Sequence, residues 1–441
     1  MERIFKGFRK NERVDLTNEQ IINFFLYVII FGLPYVYSPY GESTYNFPKA
    51  IFLWTISIII IILYIRNNDF KINKICKIAV VYFVCICITI IFSQDIHRSI
   101  FGDKWRYEGL ITILSYVVLF IATSKYLKLS KKNIDIFIIL GTVMSIYGIF
   151  QFFGFNLVKE SINNLSVYSS HGFIGNRNFF SSYIIILLSL SSCLFIFLRQ
   201  NRYIIFSSIA FGALLCAQTR GGWIAFLFSI LVLFIYSMKK VVYVKQFVKL
   251  IFSFIIIFSL LGTVRDNEII KRFSSMVNNV YYTMLSLDSI KEDSSTEVDN
   301  LGSGRVGIWK VSYKVFKKYP ITGCGLENLD KSIINDFPKW NEEWRERTNS
   351  RVDRAHNEIL HLAATTGILG VIPYCILIFT IIGKILKNIR DNGFKVIFVI
   401  IISYLIQAMF NISVVGVAPI FWIILGIASN PKIIKEINLP K

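Results

Sequence analysis

Several common features are missing from this sequence, and each absence narrows what the chain can be. Seven cysteines in 441 residues sit mostly in or beside apolar runs and suggest no disulfide framework. Cys324, which alone lies clearly in a polar stretch, reads as a small packing residue. The apolar runs do not alternate with period two, which excludes a membrane β-barrel. Residues 1–220 and 221–441 do not repeat one another, so the signature of a transporter built from related halves is lacking. No small-residue cleavage site follows the first apolar run. The charged start Met1–Lys10 therefore precedes a retained span rather than a cleaved signal peptide. Acidic residues are scarce, 28 against 48 Lys and Arg, for a net charge of +20.

What the chain has in abundance is apolar length. Hydrophobic residues make up 54% and the mean hydropathy is +0.56, above an ordinary soluble domain. The runs approach the roughly 20 residues needed to cross a hydrocarbon core. Twelve spans are expected, near 21–38, 50–65, 78–92, 109–124, 134–153, 179–198, 203–218, 222–237, 250–264, 357–383, 396–412 and 414–429. Only helices or closed barrels satisfy the backbone in lipid, so the fold expected is all-α and polytopic. The chain divides into spans one to nine over 1–264, a polar loop domain with short helices over 265–356, spans ten to twelve over 357–429, and a tail over 430–441.

The positive charge is sorted by side, which argues against nucleic acid as its partner. One set of polar segments, with both termini, is rich in lysine, including Lys71, Lys74, Lys125, Lys128, Lys384 and Lys387. Five short loops of the other set carry only Lys49, Arg98, Lys104, Arg106, Lys159, Arg177 and Arg220. The long loop holds 15 Lys and Arg against 14 Asp and Glu. This is the positive-inside pattern, with cytoplasmic termini and an external long loop. The excess charge then serves orientation and attraction to anionic lipid heads. Abundant Ile, Lys and Asn fit an AT-rich bacterial genome.

All four histidines, His97, His171, His356 and His361, fall on or just inside the external face. Three external loops there are more elaborate than connectors need: Phe101–Gly109, His171–Phe180 and Gln218–Trp223. Arg106, Arg177 and Arg220 in them have two readings, as headgroup-snorkelling residues or as anion clamps that grip phosphate bidentately. Within the long loop, Lys291–Gly304 is rich in Ser, Asp and Glu and reads as flexible. The spacing of Trp309, Tyr313 and Phe316 predicts a helix from Arg305 to Tyr319, with Lys310, Lys314 and Lys317 on a neighbouring face. That helix either lies in the membrane interface or caps a small subdomain. His356 is either a satisfied interfacial histidine or a general base poised near neutral pH. By helical geometry it stands about 140° from His361, a poor metal pair. The acidic pairs Asp266/Glu268 and Glu297/Asp299 are weak metal candidates, and no metal or other cofactor is expected.

Five fragments, in order, resemble the O-antigen ligase and O-antigen polymerase superfamily of bacterial membrane glycosyltransferases. They are Trp105-Arg-Tyr-Glu-Gly109, Gly175-Asn-Arg-Asn-Phe-Phe180, Thr219-Arg-Gly-Gly-Trp223, the pair Gly304–Trp309 with Tyr319–Gly325, and Ala355–Glu358 followed by Gly367–Gly370. Arg177 replaces the proline usual in the second. The resemblance implies transfer of a glycan from an undecaprenyl-pyrophosphate lipid to a hydroxyl acceptor outside the cytoplasmic membrane, without a nucleotide sugar or an essential metal. The acceptor would be a lipid, a cell-wall polymer or a protein. His356 would be the base, and Arg220 and Arg305 would hold the pyrophosphate, with Arg106, Arg354 and Arg177 as further candidates. The alternatives are a polymerase that uses a second lipid-linked glycan as acceptor, and a transporter of the lipid-linked glycan. Expected partners are the lipid-linked donor, the acceptor and membrane lipids, with no nucleic acid.

The topology has a direct check. A cysteine placed at Ser294 is expected to react with an impermeant thiol reagent in intact cells. Reaction only after permeabilisation inverts the orientation.

Overall fold

The computed structural model of the chain describes residues 16–40, 43–158, 170–288, 304–436 and 439–440, with the backbone alone for 279–288. Met1–Lys10, Lys159, Ser294, the pair Glu297/Asp299 and nearly all of 291–304 lie outside the described residues. Among those described, the chain forms eighteen α-helices, one 3-10 turn at Leu33–Tyr35, and no strand. The helices are α1 (Asn18–Gly32), α2 (Asn46–Arg66), α3 (Lys74–Ile91), α4 (Ile96–Phe101), α5 (Leu110–Tyr126) and α6 (Lys131–Phe152). Then come α7 (Arg177–Leu198), α8 (Arg202–Ala217), α9 (Arg220–Ser237), α10 (Val241–Gly262), α11 (Glu268–Asp288) and α12 (Arg305–Lys318). The last six are α13 (Leu329–Asp336), α14 (Pro338–Thr348), α15 (Glu358–Lys387), α16 (Asn392–Ala408), α17 (Ala418–Ser429) and α18 (Pro431–Lys435).

Each expected span falls on one of these helices, and the architecture is that of a polytopic helical membrane protein. Seven of them, α2, α3, α6, α7, α9, α10 and α15, are long and apolar enough to cross a membrane. The others, α1, α5, α8, α16 and α17, run 15, 17, 16, 17 and 12 residues. Length and composition thus support seven crossings where twelve were expected. Polar caps set several starts. Thr17 and Gln20 form a reciprocal capping box on α1, while Asn73, Ser130, Asn176 and Asn357 cap α3, α6, α7 and α15. α10 begins earlier than its apolar run because a buried stripe of Tyr243, Phe247, Leu250 and Phe254 carries the helix past it.

α7 is the central post, with 89% of its apolar window buried, against 22% for the peripheral α10. Lipid cannot distinguish helices by apolarity, so small and hydroxyl residues set the close contacts. Ser189 meets Ser229 at 3.2 Å, and Ser191 and Ser192 meet Ser207 at 3.0 and 2.8 Å. Such bonds contribute about 0.6 kcal/mol each. Lys49, expected in an external connector, is instead buried inside α2. Its ammonium donates to the carbonyls of Val36 (2.6 Å) and Phe173 (2.7 Å), fixing the loop before α7 to the bundle.

Beyond the spans, Ile308, Val311, Val315, Cys324, Leu329 and Trp344 form a separate small core. α12 packs into it through Ile308, Val311 and Val315, whereas Tyr313 stays exposed. Of the two readings of this helix, the subdomain cap is the one its packing supports. The buried stripe is aliphatic, and the aromatic residues occupy the adjoining face.

The strongest tie between this subdomain and the spans is made at a break in α15. Gly367 has φ +60° and ψ −160°, so the helical ladder is interrupted there. The segment Pro320–Gly325 takes up the freed groups. Cys324 and Gly325 donate to the carbonyls of Ala364 (3.0 Å) and Thr365 (2.9 Å), and the carbonyls of Pro320 and Ile321 accept from Ile368 (2.9 Å) and Leu369 (3.2 Å). Both backbones must approach closely. A Cβ on Gly323 would lie 2.2 Å from the Thr365 carbonyl carbon, and one on Gly367 would lie 2.3 Å from the Ile321 oxygen. Gly323→Ala and Gly367→Ala are therefore expected to lower thermal stability in detergent by about 1–3 kcal/mol. Gly383→Ala, with nothing within 4 Å of its Cβ, serves as the control. Equal melting of all three variants would sink this account.

Candidate active site

The chain from Asn349 to Asn357 leads from α14 to α15 and presents His356 just before the cap of α15. His356 was placed on a helix by sequence periodicity. Its φ of +48° removes it from that helix, so its angular relation to His361 does not apply. Asn357 Oδ1 accepts from the Leu360 amide at 3.0 Å, which fixes the helix start and with it the histidine.

Carboxylates and arginines surround His356. Its Nε2 lies 4.0 Å from Asp353 Oδ1, an ion-pair separation too long for a hydrogen bond. Nδ1 is buried without a hydrogen-bond partner among the described residues. Asp353 accepts from Arg106 Nη2 at 2.5 Å and Nε at 3.1 Å. The Arg106 guanidinium also stands 5.5 Å over the ring of Phe179, joining the loop before α5 to the start of α7. Arg354 is buried in an ion pair with buried Glu327, and its Nη1 is 3.4 Å from His361 Nε2. Burial pushes the His356 imidazole down to about 4; Asp353 opposes this, and Arg305, Arg106 and Arg354 reinforce it. Burial works against ionising Asp353, but Arg106 and Arg354 hold its carboxyl near 2. Below lies a cavity of about 70 Å³ lined by Glu108, Glu327, Glu358, Arg354, His361 and Trp422. Burial lifts Glu108 to about 8 against the pull of Arg354, and Tyr116 hydroxyl sits 2.9 Å from each of its oxygens.

A second group of arginines adjoins the first through Arg305. Arg177, Arg220 and Arg305 are each the first residue of their helix, α7, α9 and α12. A cation at a helix N-terminus opposes the macrodipole and loses some stability. Three such placements, with the side chains near one another, form a concentrated positive field. Arg272 of α11 completes it. Burial lowers the Arg305 guanidinium to about 10, and Arg220, Arg272 and Arg177 add to the effect. Arg177, Arg272 and Arg305 form no ion pair among the described residues. Arg220 donates to Ser275 Oγ at 2.9 Å.

The expected site residues therefore separate into two sets. Arg177, Arg220 and Arg305 come together as an anion-attracting group, with Arg272 added. Arg106 and Arg354 are engaged by Asp353 and Glu327 and frame His356. Arg272 was missed because it follows Lys271 on a polar helix outside every motif; the only available signal was the amphipathic pattern of α11. His171 is buried, with Nδ1 3.0 Å from the Gly172 oxygen and its amide donating to Gln151 Oε1 of α6 at 3.0 Å. His97 packs against Phe101, with ring centroids 4.9 Å apart and planes tilted by 39°. Asp266 and Glu268 do not join the site, and Glu268 pairs with Arg265 at 3.1 Å.

The field at His356 gives a signed expectation. Arg305→Gln removes a positive neighbour and is expected to raise the histidine titration above about 4, whereas Asp353→Asn removes the opposing carboxylate and lowers it. NMR titration of labelled histidine in detergent measures both. The reverse order of the two variants is incompatible with this electrostatic arrangement.

The chain matches no curated protein. Residues 205–375, from within α8 to beyond the break in α15, match the family model for O-antigen ligase, a stretch that includes Arg220, Arg272, Arg305, Arg354 and His356.

Proposed function

We propose that the protein is a ligase-type glycosyltransferase that moves a glycan from an undecaprenyl-pyrophosphate carrier to a hydroxyl acceptor on the outer face of the cytoplasmic membrane. The observation that carries this reading is the group Arg177, Arg220 and Arg272 gathered around Arg305, which in turn acts on His356. A diphosphate leaving group develops negative charge as its bond to the anomeric carbon breaks, and fixed cations stabilise that charge. In this reading the four arginines receive the diphosphate. The acceptor oxygen attacks the anomeric carbon and its proton passes to the His356 imidazole. The glycosidic bond forms, the carbon–diphosphate bond breaks, and its electron pair leaves on the phosphate. Asp353, held by Arg106, stabilises the imidazolium that results.

The depressed affinity of His356 for a proton fits this order of events. Burial is the main cause of that depression, and bound diphosphate would offset the smaller contribution of Arg305, raising the proton affinity of the histidine in part when the donor is in place. The same reading assigns 1–264 and 357–429 to the membrane, 265–356 to an extracytoplasmic lid, and both termini to the cytoplasm. It requires no metal.

The test uses purified full-length protein, an undecaprenyl-pyrophosphate glycan, candidate acceptors and a chelator. His356→Ala is expected to lose roughly 10²–10⁴-fold in transfer. Arg220→Gln and Arg305→Gln are expected to lose roughly 10²–10³-fold. Undiminished transfer by His356→Ala removes it as the base, and complete dependence on added divalent metal overturns the metal-free scheme. Elongation of a second lipid-linked glycan in preference to any other acceptor identifies a polymerase instead.

A further inference from the structure

The opposite end of the bundle holds a second polar pocket, unrelated to the arginines. It has a volume of about 350 Å³ and lies where α3, α5, α15, α17 and α18 meet. Four lysines line it, Lys71, Lys125, Lys384 and Lys432. Its floor is rigid. Ser124 Oγ accepts from Asn73 Nδ2 (2.8 Å) and Ser429 Oγ (2.7 Å), and Asn430 Nδ2 donates to the Ser124 carbonyl at 2.8 Å. Lys384 donates to the Ser429 carbonyl at 2.7 Å, which fixes its ammonium at the pocket edge. One carboxylate stands nearby, Asp69, and it is paired with Lys125 at 3.0 Å. Lys71, Lys384 and Lys432 form no ion pair among the described residues, so the pocket keeps a clear positive excess.

An apolar groove of about 250 Å³ adjoins this pocket between α2, α3 and α5. Ile61, Tyr64, Phe70, Val80, Val118 and Ala122 are among its walls. Ile72 and Ile121 line both the groove and the pocket, so the two are contiguous. The groove runs along α5 and along α2 and α3, both long and apolar enough to cross a membrane, and the pocket sits where these helices end. A cationic cup opening directly onto an acyl-sized apolar trough matches one kind of molecule, a lipid with an anionic head.

We propose that this end of the bundle binds an anionic phospholipid of the adjoining leaflet. Its phosphate lies among Lys71, Lys384 and Lys432, and an acyl chain lies along Ile61, Val80 and Val118. The charge complementarity selects the head, and continuity with the groove selects a lipid over a free phosphate. The proposal is independent of the transfer reaction, since none of these residues belongs to the candidate active site.

Native mass spectrometry of the full-length protein, titrated with dioleoylphosphatidylglycerol or dioleoylphosphatidylcholine, tests it. Wild type is expected to retain the anionic lipid in preference to the zwitterionic one. The triple variant Lys71→Gln/Lys384→Gln/Lys432→Gln is expected to weaken retention at least about tenfold. Val80→Trp, which fills the groove and leaves the lysines in place, weakens it as well, so the outcome does not hang on how one variant folds. Lys131→Gln/Lys132→Gln, at the same end but outside the pocket, leaves it unchanged. Equal retention of both lipids, an unaffected triple variant, or an equal loss in the Lys131/Lys132 control overturns the proposal. So does thermal stabilisation by inorganic phosphate without any by the lipid.

Discussion

The arrangement depends on how the chain handles a broken helix in an apolar setting. At Gly367 the helical ladder of α15 stops and restarts, and the exposed backbone groups have no water to turn to. Pro320–Gly325 supplies the missing partners by lying across the break. That contact holds the water-facing subdomain on the bundle. It also fixes both ends of the candidate site, since Arg305 opens the helix leading into the strap and His356 precedes the helix that carries the break. Two short glycine-containing motifs, separate in the chain, are thus two sides of one joint.

Secondary ties keep the joint in register. Asn328 Nδ2 donates to Ser93 Oγ and Ser99 Oγ, both at 2.9 Å, and Arg98 pairs with Asp330 at 2.9 Å. These contacts anchor the loop after the strap to the connection between α3 and α5. The loop bearing Arg106 is therefore positioned from two directions, by the subdomain through Asp353 and by α7 through Phe179. Side chains from four distant stretches of sequence converge because the backbone joint leaves little freedom between them.

Much of this was legible in the residues. Apolar runs revealed the helices because lipid demands continuous apolar length; Arg220 and His356 stood out at the ends of those runs, and Arg305 through the fragment Gly304–Trp309 inside the polar loop. Other features rest on distance in sequence that periodicity does not encode. Glu327, 27 residues before Arg354, neutralises it in a buried pair, and nothing local announces that partner. Lys49 looked like a connector residue because its charge masked a buried role in binding carbonyls. His356 looked helical because the pattern around it is helical, whereas its left-handed backbone depends on the turn into the Asn357 cap. Arg272 sits on a helix whose charges resemble any solvated face, so its convergence with Arg305 is visible only in three dimensions.

Placing Arg177, Arg220 and Arg305 at the first positions of three helices has a mechanical consequence. The first positions of α7, α9 and α12 bring like charges near one another, and α11 adds Arg272, an arrangement whose guanidinium groups disfavour one another's charge. A multiply charged anion held among them would act as a cross-brace between α7 and α9 and the small subdomain that carries α12. The bound group would then be part of the framework for as long as it carries its charge. Its departure would loosen the same elements that its arrival had drawn together.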